Sequence, residues 1–150
     1  MISSVDVANL FLSWANRDGD LITNLKMQKL LYYAQAWHLV YFKKPLFCDS
    51  IKAWSFGPIA TDAYYAFKKF GYSPIQHKET GSEKEKFNKN QLEFLDECYG
   101  TFIKYPAYEL VNITHNEDPW KNAYKEGSSN EISHESMKVF YSKLLEKNKK

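Results

Sequence analysis

Residues 24–38 read NLKMQKLLYYAQAWH, and the apolar character continues through Leu39, Val40, Tyr41 and Phe42. Asn24 is placed to cap a helix, because its side-chain oxygen can accept from the first free backbone N–H groups. Strong helix formers follow from Leu25 to Leu31, and neither glycine nor proline interrupts before Pro45. A helix over 24–42 would be roughly 27 Å long at 1.5 Å per residue. From Leu30 onward apolar side chains fall on almost every side of it, which predicts a helix surrounded by others rather than lying on a surface. The run is too short for a bilayer, and Gln35 and His38 break it. The expected fold class is mainly α: a compact single-domain helical bundle around this buried central helix, with at most one or two short β-strands near residues 51–55.

Composition agrees with a globular domain. At 150 residues the chain is long enough to bury about two-thirds of its unfolded surface. Hydrophobic residues make up 44% and charged residues 25%, which excludes wholesale disorder. The aromatic share of 17% predicts a core or a binding face rich in rings. A net charge of +2 falls short of the clustered basic face that nucleic-acid binding needs. The first residues carry neither the charged nor the apolar region of a signal peptide, so a soluble, cytoplasmic protein without a membrane partner is expected. Cys48 and Cys98 are far apart in sequence and are expected to be reduced, buried thiols.

The flanking segments read as further helices. Ser3 or Ser4 can cap a first one ending near Asn16, with Val7, Leu10, Phe11 and Trp14 on its inner face. Residues 51–56 alternate weakly and suggest one short strand. Gly57–Pro58 then predicts a helix start, since proline is favoured at the first helical position; Gly71 is its expected stop. Residues 72–87 are charged and aperiodic, an expected exposed, mobile loop. Asn88 with Gln91 forms a capping box for a helix bearing Leu92, Leu95, Tyr99 and Phe102. A short helix carries Leu110, Val111 and Thr114. Asp118–Pro119 opens another to about Tyr124, and Ser133 caps the last, with Ile132 and Met137 stapled across the cap.

No catalytic or metal arrangement stands out. His38, His77, His115 and His134 show no metal-ligand spacing, the six glycines are scattered, and neither cysteine has a nucleophile's context. No cofactor is expected. The densest polar cluster is His115, Glu117 and Asp118, read first as helix capping and alternatively as the site of a small hydrolase or transferase. Lys26 and Lys29 read as solvated, or alternatively as phosphate contacts of a nucleic-acid-binding regulator. Trp37, Trp54, Phe56, Tyr64, Tyr65 and Trp120 are more large rings than a small core needs, so some are expected to line a groove for a protein partner.

Taken together, these segments resemble the Panacea domain of SocA-type antitoxins, also known as phage-associated GepA-like proteins. The resemblance rests on residues 25–38, then on Pro45–Leu46–Phe47, IKAWSFGPI over residues 51–59 and YYAFKKFG over 64–71. It continues through Glu109–Leu110, THNEDPWKNA over 114–123, and Ile132–Ser133 leading to Met137 and Tyr141. It implies a helical domain that neutralises a cognate toxin, encoded by a neighbouring gene, by direct binding; a protease is a further partner in at least one member. Some members carry an added N-terminal DNA-binding module. Here the first helix begins near Met1, so that module and autoregulation by this chain alone are not expected. Tyr105–Pro106–Ala107–Tyr108 departs from the more polar helix start of the family. The motif and ring residues Lys29, Tyr32, Trp37, Trp54, Phe56, Tyr64, His115 and Trp120 are the candidate partner-binding residues, many of them explicable as architecture. The loop over 72–87 is the other candidate surface.

Overall fold

The computed structural model describes residues 1–149. Its helices are α1 (Ser4–Asp18), α2 (Asn24–Phe42), α3 (Thr61–Phe67), α4 (Lys89–Phe102), α5 (Ala107–His115), α6 (Asp118–Ala123) and α7 (His134–Asn148). Three strands, β1 (Ile51–Trp54), β2 (Gly57–Ala60) and β3 (Asn130–Glu131), form a small antiparallel sheet in the order β2-β1-β3. The mainly α class expected from the sequence is what the structure has, but with three strands in place of the at most one or two expected near residues 51–55.

Helix α2 lies at the centre. It contacts α1, α3, α4, α5, α7 and strand β2, and Met27, Leu31, Ala34 and Ala36 are sealed from solvent. Burial on nearly all sides follows from an apolar circumference, which leaves no polar face to keep in water. Its cap is Thr23 rather than Asn24: the Thr23 hydroxyl accepts from the Lys26 N–H, while Asn24 sits inside the first turn and donates to the Tyr64 carbonyl.

The polar residues of α2 do the docking. Gln35 donates to the Phe47 carbonyl and accepts from the N–H groups of Leu46 and Phe47, fixing the chain after Pro45. Gln28 accepts from Ala60 N–H, and the Lys29 ammonium donates to the Pro58 carbonyl at 3.0 Å. His38 Nδ1 donates to the Lys44 carbonyl, and burial pushes its pKa down, which keeps the ring neutral.

These bonds overturn the helix start expected at Gly57–Pro58. Both residues belong to β2, paired with Trp54 and Ala53 across a hairpin turn at Ser55–Phe56. Helix α3 starts later, at Thr61, and ends in a 3₁₀ turn over Lys68–Phe70 before Gly71. Strand geometry wins because α2 offers β2 side-chain partners for its main chain, which would otherwise be a buried, unpaired edge.

Elsewhere the caps fall as expected. Ser3 with Asp6 and Asn88 with Gln91 form capping boxes, and Ser133 caps α7 with Ile132 and Met137 buried beside it. The segment 72–87 is tied down rather than merely exposed. Ile75 N–H bonds the Ile22 carbonyl, Phe87 is buried, and Glu83 accepts from the backbone of Thr80 and Gly81 and from His77. Those bonds hold the Glu83 carboxyl down at about 2. Cys98 is buried as expected, but Cys48 is exposed.

Candidate partner-binding face

The β1–β2 hairpin and the helices beside it carry most of the candidate residues. The turn places Phe56 outward, 65% exposed. Behind it Gly57 has φ +103°, a backbone that side-chain-bearing residues rarely adopt. A Cβ there would lie 2.7 Å from Lys29 Cε and 2.9 Å from Thr114 Oγ1. Glycine is needed twice over, for its conformation and for its missing atom.

Lys29 lies beneath that turn with no exposed surface and, among the described residues, no carboxylate partner. Burial alone pulls its pKa down to about 7. This corrects the reading of Lys29 as solvated or phosphate-facing. Its neighbour Lys26 is half-buried and donates to the Ile103 carbonyl.

Beside the hairpin, Trp54, Tyr64 and Tyr65 meet edge-on, with ring centroids 5.0 Å apart for Trp54–Tyr64 and 5.4 Å for Tyr64–Tyr65. The Trp54 indole N–H donates to Ser129 Oγ, so its ring is held in one orientation. Tyr65 is 60% exposed, with the Lys68 ammonium over its face. On the other flank His115, Trp120 and Tyr124 form a continuous stack, with centroids 4.1 Å and 4.6 Å apart. The Trp120 indole N–H donates to the Trp54 carbonyl at 2.8 Å and ties the stack to the hairpin. His115 Nε2 is buried without a partner among the described residues. Its pKa is pushed down, chiefly by burial and further by the Lys29 charge, although the Ser55 backbone favours the charged form.

The structure thus gathers Lys29, Trp54, Phe56, Tyr64, His115 and Trp120 around one hairpin and separates the other two candidates. Tyr32 is buried against α7, where its hydroxyl meets that of Tyr141 at 3.0 Å. Trp37 faces α4 and stacks on Tyr41. The polar cluster His115, Glu117 and Asp118 also divides. Glu117 Oε1 accepts from Tyr33 at 2.7 Å and Tyr141 at 2.8 Å, and desolvation raises its pKa. His115 stacks on Trp120, and Asp118 is an exposed residue in the first turn of α6 that makes no capping bond. Among the described residues no hydrogen bond joins the three, and the start of α6 has no side-chain cap bond, which corrects the capping reading. Sequence reasoning missed the tyrosine–Glu117 network, because its members come from three distant segments. No group of His, Cys, Asp and Glu placed to hold a metal occurs among the described residues.

A buried central helix that docks a ring-bearing hairpin defines a small helical domain with aromatic rings open beside that hairpin. Residues 27–121 match the family described as Antitoxin SocA-like, Panacea domain, and the chain belongs to that family. It is 42% identical over 65 residues to Antitoxin SocA of Caulobacter vibrioides (strain NA1000 / CB15N), an alignment covering 43% of this chain and 35% of that protein. No solved structure matches the chain. None of the helices among the described residues is long and apolar enough to cross a membrane.

Proposed function

We propose that this domain is an antitoxin that neutralises a toxin protein by binding and occluding it, with the hairpin face as the principal contact. Family membership supports the antitoxin role. The observation that carries the choice of surface is Phe56, a large ring presented to solvent at the tip of a turn that Gly57 and Lys29 lock from below. Rigid exposed aromatics suit protein interfaces, because they bury much apolar area at little cost in side-chain entropy. Tyr65 and Trp54 extend the same surface, and Lys52 and Lys68 give it a charged rim able to steer association.

The test is co-expression with the product of the adjacent gene, reading growth and co-purification. The expected result is that the neighbour alone arrests growth and this chain restores it through a stable complex. Phe56→Ala combined with Tyr65→Ala should weaken that complex at least about tenfold without unfolding the domain. A harmless neighbour, or rescue without a complex, overturns occlusion. Rescue accompanied by disappearance of the toxin would instead indicate delivery to a protease.

A further inference from the structure

A second ring-lined surface lies between α2 and α4, away from the hairpin residues. Trp37 and Tyr41, one turn apart on α2, stand side by side with centroids 5.9 Å apart and planes 29° from parallel. Phe94 of α4 meets Tyr41 at 6.1 Å, nearly edge-on, and these rings bound an open cleft of about 210 Å³. Trp37 is backed by Tyr141 of α7 at 5.4 Å, which holds its ring in place.

The cleft carries negative charge at its rim. Among the described residues Glu97 is the only charged one lining it, and the Thr101 hydroxyl spends its proton on the Glu97 carbonyl, so its oxygen presents lone pairs. The Cys98 thiol at the same wall is pushed up to about 12 by burial and acts as a neutral surface, not a nucleophile. Aromatic faces with acceptors and a carboxylate at the rim favour a cation, because the ring quadrupole and the carboxylate attract the same sign of charge. Elsewhere the chain supplies such cations itself: Arg17 over Trp14, Lys68 over Tyr65, Lys69 over Phe70 and Lys104 over Tyr105. Among the described residues, none lies over Trp37, Tyr41 or Phe94.

We propose that the α2–α4 cleft receives an arginine side chain of the protein partner, its guanidinium stacked on Trp37 and Tyr41 and paired with Glu97. A guanidinium fits better than an ammonium, since it is planar, weakly hydrated and able to stack while bonding a carboxylate. As a contact for the toxin this rests on the function proposed above, but the cleft can be tested without any toxin.

The test titrates N-acetyl-arginine amide into the ¹⁵N-labelled domain, with N-acetyl-citrulline amide as the neutral isostere. The expected result is saturable movement of the Trp37 indole N–H signal with the arginine probe and at least fivefold weaker response to citrulline. Glu97→Gln, an exposed substitution that spares the core, should reduce the arginine response to the citrulline level. Equal responses to both probes, no response, or a response indifferent to Glu97→Gln overturns the proposal. In the toxin complex Glu97→Gln should raise Kd about tenfold, whereas failure of the neighbour to bind at all would strike the proposed function and leave the probe result standing.

Discussion

Two groups of rings in this domain have opposite fates. Tyr32, Tyr33 and Tyr141 are buried and spend their hydroxyls on one another and on Glu117. Tyr33 also stacks flat on Phe102 at 4.4 Å. Trp54, Tyr64 and Tyr65 pack edge-on against one another, Phe56 stands outward at the hairpin turn, and all four stay partly or largely open. A buried tyrosine must find an acceptor, whereas a ring on a surface is free to wait for a partner. The difference lies in polar satisfaction rather than in ring content: the closed group holds α7 to the core, and the open group faces outward on a hairpin that is itself held from beneath.

The sharpest way to break this picture is Gly57→Ala. The added methyl meets Lys29 and Thr114 in a backbone conformation hostile to alanine, and the expected loss is about 3 kcal/mol. By thermal melting the midpoint should fall about 6–12 °C; an unchanged midpoint would mean that the hairpin is not locked as described.

Lys29 predicts a pH dependence. Its folded pKa near 7 lies below the ordinary 10.5, so the unfolded chain binds the extra proton between these values. Stability should therefore rise with pH, by about 2 kcal/mol from pH 7 to 9. Denaturant titrations at the two pH values should show this in the parent and a much flatter response in Lys29→Met. An equal slope in both would place the titration elsewhere.

Glu117 separates charge from hydrogen bonding. Glu117→Ala leaves the Tyr33 and Tyr141 hydroxyls without their acceptor and should cost about 1–3 kcal/mol. Glu117→Gln keeps an acceptor and removes a half-buried charge. Because burial raises the folded pKa of this carboxyl, the protonated form stabilises the fold at low pH and that contribution is lost as pH rises. Glu117→Gln should then match or exceed the parent in stability at pH 7, with the difference shrinking towards pH 4. A Gln variant as unstable as Ala would show that the charge itself is needed.

The smallest expected effect on stability belongs to the open group. Phe56→Ala should stay within about 0.5 kcal/mol of the parent, because its ring is mostly in water. A larger loss in a denaturant titration would move Phe56 from the binding face into the fold.

The helices were readable in advance because their signals are local. Ser3 and Asp6, Asn88 and Gln91, and Ser133 satisfy N–H groups within three residues, and apolar spacing reports a buried face without knowledge of what covers it. The candidate site was readable only as a list of rings. Nothing in the order of residues separates Tyr32, sealed against α7, from Tyr64 on the hairpin face. Tyr33, Tyr141 and Glu117 converge from segments 24 to 108 residues apart, and a single sequence holds no trace of that meeting.

The sequence by itself determined the mainly α class, the central helix and most caps, since these follow from propensity and hydrogen bonds closed within a turn. Only the tertiary structure decided the rest: Gly57–Pro58 as strand, Lys29 as a buried cation, and which rings stay open. A strand edge, a charge or a ring is stabilised by whatever lies against it, and here that partner comes from another part of the chain. Gln28 and Lys29 reach across to Ala60 and Pro58, and a backbone that reads locally as a helix start becomes the edge on which the hairpin is built.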